Sequence, residues 1–311
     1  MTLSITIVSY NTKELLRNCL ESLISTTNNQ QSTISNEVFV VDNASTDGSV
    51  EMVKKEFPQV KLIASDKNLG FAKANNLALK QANGDDILFL NPDTVVPKET
   101  LPAMLEFMEK NKDIGIATCK VELADGSLDW DCHRGFPTPW ASLTRFLGLC
   151  KLFPRSKIFN QYYLGFLPMD EIHEIDSCCG AFFLTRKKLL NEIGWWDEDY
   201  FFYGEDIDLC FRTKKAGWKV VYNPDVKIVH YKGAASGIKK TTQEVTKATK
   251  ESRQKALRAS VDAMRIFYDK HLKSEYPAIV DGFVYVGIWL LRQKRLRLNC
   301  LKKVKIRGSY G

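Results

Sequence analysis

The stretch Ile87-Leu-Phe-Leu90-Asn91-Pro92-Asp93 is a run of four apolar residues that stops at a turn carrying a carboxylate. So short a run with a turn signal behind it reads as a strand buried on both faces. Asn-Pro-Asp taken alone is an ordinary turn former. Its meaning comes from what precedes it. Leu3-Ser-Ile-Thr-Ile-Val-Ser9, Val38-Phe-Val-Val41 and Val60–Ala64 have the same short, apolar, β-branched character. Between them apolar residues recur at helical spacing, as Leu15, Leu16, Cys19, Leu20 and Leu23 within 12–26, then in Val50–Phe57 and Gly70–Gln81. The cluster Ser45-Thr-Asp-Gly-Ser49 supplies a cap for the second helix.

Strand and helix alternating in this way predict a parallel sheet with right-handed crossovers. Ligands of such sheets bind beyond the carboxyl ends of the strands. The polar residues fall at those ends: Asn11, then Asp42, then Asn91 with Asp93. Packing alone does not ask for carboxylates at successive strand ends.

Residues 122–176 hold Pro137, Pro139, Pro154 and Pro168 among many aromatics, and read as excursion loops with short helices. A second ordered block follows. It comprises a strand at Ser177–Leu184, a helix at Arg186–Ile193 and an acidic aromatic loop at Trp195–Glu205. A helix at Asp206–Ala216 and strands at Lys219–Tyr222 and Val226–His230 complete it. Thr241–Leu272 predicts one long polar helix. Glu205 and Asp206 open a helix, where the dipole favours negative charge, so capping alone would explain either. His230 by itself reads as a structural histidine as readily as a ligand. Asp208 and Arg212, four residues apart, read as a structural ion pair.

With 44% hydrophobic and 26% charged residues in 311, the composition is globular rather than fibrous or disordered. No apolar run approaches the ~20 residues that span a bilayer. The N-terminus lacks the basic and apolar segments of a secretion signal. The eight cysteines include no CxxC pair and are expected as free thiols in a reducing cytoplasm. Their spacing does not suit a structural zinc site either. The net charge of +7 resides in the tail, where no acid follows Asp281 and eight basic residues run from Arg292 to Arg307. With the apolar run Phe283–Leu291 ahead of it, this reads as an interfacial helix on the inner face of the cell membrane. Nucleic acid is the other target of such a patch, but no base-reading motif accompanies it, so no nucleic-acid partner is expected.

Several short motifs occur in order. They are Val8-Ser-Tyr-Asn11, Val40-Val-Asp42-Asn-Ala-Ser-Thr-Asp-Gly48, Asn68-Leu-Gly70-Phe-Ala-Lys-Ala-Asn75-Asn76 and Leu90-Asn-Pro-Asp93. Gly204-Glu-Asp206-Ile-Asp-Leu209, Gly217-Trp218 and His230 follow. This ordered set resembles the family 2 glycosyltransferases of GT-A fold, particularly the bacterial rhamnosyltransferase-like branch, over residues 3–235. The resemblance implies a Rossmann-like, mixed but mostly parallel sheet flanked by helices over residues 1–240, with a helical extension over 241–311. It implies inverting transfer of a sugar from a nucleotide diphosphate donor, with dTDP-L-rhamnose the first choice. The acceptor would be a saccharide hydroxyl, lipid-linked, in cell-surface polysaccharide synthesis.

Carried over by position, Asp42 resembles the acid that binds the nucleotide base, with Ser9 and Asn11 lining the nucleoside pocket. Asn68, Gly70 and Asn76 resemble the segment that wraps the nucleotide. Gly70 permits close backbone approach there, and Lys73 adds charge near the diphosphate. Asp93 resembles the last acid of the DxD element and His230 a metal-contacting histidine, implying a divalent cation, Mn²⁺ or Mg²⁺. Here Asn91 replaces the first acid. Asp206 resembles the catalytic base, with Glu205 beside it expected to raise its pKa. Trp195 and Trp196 read as an apolar wall against a sugar face. Two other functions compete. A sugar nucleotidyltransferase should carry a glycine-rich loop after the first strand, and Val8-Ser-Tyr-Asn-Thr-Lys13 has no glycine. A sugar-nucleotide-binding protein without catalysis would have no use for Asp93, Asp206 and His230 together.

Overall fold

The alternation over the first ninety residues folds as four strands and three helices. β1 (Thr2–Ser9), β2 (Ser35–Asp42), β3 (Lys61–Ala64) and β4 (Asp86–Leu90) are joined by α1 (Lys13–Thr27), α2 (Ser49–Glu56) and α3 (Phe71–Leu79). The computed structural model of the protein describes residues 2–27, 35–232 and 250–307. Across the sheet the order is β3-β2-β1-β4, and each pairing is parallel. Ile5, Ile7, Val40, Ile87 and Phe89 are buried, as apolar runs covered by helices on both faces must be. Ser9 lies opposite Asp42, Asp42 opposite Ala64, and Ile7 opposite Leu90. The four strands therefore end along one edge.

Beyond β4 the sheet becomes mixed. β6 (Ile114–Leu123), β8 (Phe182–Arg186) and β9 (Lys219–His230) extend it, with β8 antiparallel to β4 and β6, and β9 parallel to β6. Two-residue strands β5 (Thr94–Val95) and β7 (His173–Glu174) pair antiparallel with β9. Helix α4 (Thr100–Lys110) precedes β6, and the excursion carries α5 (Pro139–Phe146) and α6 (Leu149–Leu152). Helix α7 (Lys187–Ile193) follows β8, and α8 (Glu205–Lys215) leads into β9.

The strand expected from Ser177 starts only at Phe182. The backbone of Ser177 is taken by Arg134, exchanging hydrogen bonds of 3.0 and 2.8 Å with it, and so cannot join the sheet. The strands expected at 219–222 and 226–230 are one. Cys119 faces Asn223 and Lys120 faces Lys227, so the intervening residues bulge out. Pro224, which has no N–H to give, sits in that bulge.

Helix α9 (Lys250–Phe267) is the described part of the long polar helix, and residues 241–249 lie outside the described residues. It widens into a π turn over Tyr268–Leu272 before α10 (Ala278–Arg307). The extension is not a separate body. Tyr200, Ala263, Phe267, Tyr268 and Leu272 form a second buried cluster, with Ile207 and Phe211 of α8 packed against it. Among the described residues no helix is long and apolar enough to cross a membrane, and the seven described cysteines are free.

Candidate active site

The strand edge presents one open hydrogen-bonding position. The Asp42 carboxylate is buried; its Oδ2 accepts from the Ser45 amide at 2.9 Å, whereas its Oδ1 is buried without a partner. Burial raises its pKa, against the Ser45 bonds that lower it. Such an oxygen is costly to bury and asks for an N–H or O–H donor. Ser9 beside it is buried, its hydroxyl 3.0 Å from that of Thr12. Asn11 adopts a left-handed backbone, φ 54°, which asparagine tolerates better than most residues. Its side chain is spent locally, accepting from the Thr46 amide at 2.7 Å. Asp47 ties the two helix starts together, accepting from Lys13 and Ser49.

A second feature sits where β5 meets β9. Thr94 pairs with His230, and the Tyr231 amide donates to the Asp93 carbonyl at 2.8 Å. This brings two buried side chains together, His230 Nε2 lying 3.2 Å from Asp93 Oδ1. His230 Nδ1 faces Asp129 Oδ2 at 3.1 Å, and Lys232 also contacts Asp129. Burial alone would lower the His230 pKa, but the Asp93 and Asp129 carboxylates outweigh it and raise it to about 9. Burial likewise opposes ionisation of Asp129, yet His230 and Lys232 hold it below the usual carboxylate range. The donor set suits a divalent cation. Adjacent ligands of an octahedral ion with bonds near 2.1 Å stand about 3.0 Å apart, close to the Asp93–His230 separation. Asp129, on the other ring nitrogen, stands where a carboxylate would orient the histidine if Nε2 held a metal. Among the described residues no three His, Cys, Asp or Glu side chains are arranged to hold a metal by themselves, so this corner offers two ligands.

The third feature is the start of α8. Gly204, φ 88°, turns the chain into the helix, and Ala263 of α9 leaves no room for a side chain there. Asp206 Oδ2 accepts from Arg134 Nη2 at 2.7 Å, and the same nitrogen donates to the Cys178 carbonyl at 3.0 Å. Arg134 is buried, while the Asp206 side chain keeps 13% of its surface open. Glu205 is buried with Oε2 unpartnered, and burial, then the charge of Asp206, pushes its pKa well up. Unlike Asp206, Glu205 has no cation in contact among the described residues. Of two adjacent carboxyl groups one is thereby ion-paired and the other shifted toward its neutral form, a division typical of acid–base sites.

The model of the family described as "Glycosyl transferase family 2" matches residues 4–194, more than half of the chain. The chain belongs to this family. Its relatives include an N-acetylglucosaminyl-diphospho-decaprenol L-rhamnosyltransferase of Mycobacterium tuberculosis, 28% identical over 64% of this chain and 68% of its own. The rhamnosyltransferase WbbL of Escherichia coli is 30% identical over 52% of this chain and 61% of its own. The fold is shared with the mannosyltransferase PcManGT of Pyrobaculum calidifontis, solved with GDP-Man and Mn²⁺. That likeness has a TM-score of 0.50 and 16% identity over 99% of this chain and 87% of that one. GalNAc-T7, solved with UDP, GalNAc and Mn²⁺, gives 0.57 at 15% identity over 87% of this chain and 48% of that one. The protein is a glycosyltransferase with the GT-A fold.

In this glycosyltransferase several residues expected to line the site hold the loop 195–205 instead. A side chain on Gly70, φ 84°, would strike the Phe201 carbonyl at 2.2 Å, so the close approach that needs glycine is made by this loop. Asn76 donates to the Trp196 carbonyl at 2.9 Å and to Glu198 at 3.0 Å, and Lys73, half exposed, lies 3.9 Å from Glu198. Asn68 accepts from Asn43 and from the Gly70 amide. Trp196 is not a sugar wall. It is 2% exposed and packs among Phe71, Phe89 and Phe183, because it follows a glycine turn that drives it into the core. Trp195 is partly buried against the same core, and its carbonyl accepts from Arg212. The Asp208–Arg212 pair forms at 2.8 Å as expected, and His271 of the π turn joins Asp208 at 2.6 Å. Arg134, Asp129 and His271 were missed from sequence. Each acts on a residue at least 63 positions away, and none has a local pattern around it.

Proposed function

We propose that this glycosyltransferase is inverting and transfers a sugar from a nucleotide diphosphate, dTDP-L-rhamnose by first choice, to a hydroxyl of a lipid-linked saccharide. The Asp93–His230 corner, 3.2 Å across at the strand edge, carries this reading. At this strand edge two protein side chains would leave the remaining positions of a cation to a diphosphate. Asp93 and His230 would hold Mn²⁺ or Mg²⁺. The chemistry such an ion supplies when bound is neutralisation of charge on the departing diphosphate.

The chain's own residues do the rest. The free Oδ1 of Asp42 takes a ring N–H of the base, with Ser9 and Asn11 shaping the nucleoside pocket and Lys73 near the phosphates. Asp206 receives the proton of the acceptor hydroxyl as that oxygen attacks the anomeric carbon. Arg134, 2.7 Å from its Oδ2, aims Asp206. One base and one displacement invert the anomeric centre. Glu205, pushed toward its protonated form by burial and then by Asp206, offers an O–H to a sugar. Rhamnose is supported by the names of the two rhamnosyltransferase relatives, and a lipid-linked acceptor by the name of the Mycobacterium tuberculosis one. Such an acceptor suits an enzyme working at the inner face of the cell membrane, with the basic tail against it.

The test is thermal stabilisation by a panel of nucleoside diphosphates and nucleotide sugars, with Mn²⁺, with Mg²⁺ and with chelator. A true ligand at 100 times its Kd adds about 2.7 kcal/mol. A cation-dependent shift confined to dTDP or UDP compounds, absent in Asp93→Ala, is expected. No shift with any of them would sink the donor assignment.

A further inference from the structure

Exposed large apolar side chains are concentrated in two places. One is the excursion around α5 and α6, where Leu143, Phe146, Leu147, Leu152, Phe153 and Ile158 face solvent, Leu147 at 60% and Leu152 at 69% exposure. The other is α10, where Ile279, Phe283, Val286 and Leu290 recur at helical spacing along one side, Phe283 being 74% exposed. Apolar patches of this extent on a folded surface mark an interaction site.

We infer that the α5–α6 excursion, together with the exposed side of α10, docks the enzyme on an anionic phospholipid bilayer. The proposal rests on the lipid-linked acceptor reading for its purpose, but its evidence is independent. Between Asp131 and Asp170 the sequence contains no acidic residue, and Lys151, Arg155 and Lys157 are exposed around the apolar side chains. The tail after Asp281 has the same make-up, apolar and aromatic residues with cations and no acids. A protein partner would not require both segments to exclude acids; a negatively charged lipid surface does.

The excursion is held in shape. Trp140 Nε1 donates to the Ile158 carbonyl at 2.8 Å, Asn160 donates to the Pro154 carbonyl at 2.6 Å, and the Arg145 guanidinium lies 4.3 Å from the centre of the Tyr162 ring. These bonds use the polar groups internally and leave the leucines and phenylalanines outward. The excursion leaves the chain after Arg134, which holds Asp206, and returns before Cys178, whose carbonyl Arg134 also reaches.

The experiment is co-sedimentation of the full chain with vesicles of phosphatidylglycerol and phosphatidylcholine, and with vesicles of phosphatidylcholine alone. The expected result is salt-sensitive binding to the anionic vesicles, weakened about tenfold or more in Leu147→Glu/Leu152→Glu. Both positions are exposed, so the variant should keep its fold, read as an unchanged thermal shift with nucleotide. Equal binding by the variant overturns the proposal, as does a loss seen only with Phe283→Glu, which would leave α10 acting alone. A dimer by light scattering that Leu147→Glu/Leu152→Glu splits, with no vesicle binding, overturns it too, since a second copy would then cover the patch. Vesicle binding without any nucleotide shift would instead count against the donor assignment and leave the docking surface standing.

Discussion

Thr94 and His230 face each other in a strand pairing only two residues long, and this pairing sets Asp93 beside the His230 ring. The two side chains are far apart in sequence, yet their separation is fixed by backbone hydrogen bonds, not by side-chain flexibility. Asp129 completes the arrangement from the other side of the ring at 3.1 Å.

Asp129→Asn should therefore weaken Mn²⁺ binding without removing a ligand. Loss of a carboxylate that orients a metal-binding histidine costs about 10–100-fold in affinity. Titrating Mn²⁺ against thermal shift at saturating nucleoside diphosphate measures it. An unchanged affinity would show that His230 does not depend on Asp129 for its orientation.

Glu205→Gln should stabilise the enzyme while impairing it. The folded-state pKa of Glu205 is raised by burial and by Asp206. A raised acid contributes stability that is full below its unfolded pKa of about 4.3 and is lost as pH climbs toward the folded value. Gln has no proton to lose, so melting temperatures of wild type and variant should diverge as pH rises from 5 to 8, with the variant higher. Parallel curves over that range would mean that Glu205 ionises freely in the folded protein.

The first ninety residues were legible because buried parallel strands announce themselves by apolar runs and their ends by carboxylates. Asp42 and Asp93 could be placed at one sheet edge on that basis alone. The excursion with short helices over 122–176 is there as α5 and α6, but β5 and β7 were not legible, since they are two residues each and owe their existence to β9. Arg134 has no sequence signal because its partner Asp206 arrives from a different part of the fold. Trp196 was misplaced for a related reason. Aromatics in an acidic loop suggest an exposed platform, and only the packing of Phe71, Phe89 and Phe183 shows that this one is core.

Trp196→Ala separates those two roles. A core aromatic truncated to alanine costs about 3–5 kcal/mol, chiefly through the cavity left behind. A large drop in melting temperature is expected, with donor KM little changed at a temperature where the variant is folded. A raised KM with normal stability would restore Trp196 to the sugar site.

The helical extension should be inseparable from catalysis. A chain ended at residue 240 leaves Tyr200, Ile207 and Phe211 without Ala263 and Phe267, and Asp208 without His271. Such a chain should be recovered aggregated or show no nucleotide-dependent stabilisation. A folded, nucleotide-binding product would establish 1–240 as an autonomous domain.

Arg134 is best tested by keeping its volume and removing its charge. In Arg134→Met the Asp206 carboxylate, largely buried, loses its only cation in contact among the described residues, and breaking such a pair costs about 3 kcal/mol. The same change frees Asp206 to turn away from the acceptor. A general base contributes roughly 10²–10⁴-fold to rate, so losing its alignment should lower kcat about 10–100-fold. Donor KM should hold, because Asp42, Asp93 and His230 are untouched. Arg134→Lys restores a charge but not the planar fork that reaches both Asp206 and the Cys178 carbonyl, so it should recover only part of kcat. A destabilised Arg134→Met with normal kcat at low temperature would make Arg134 a brace of the fold, with no part in holding the base.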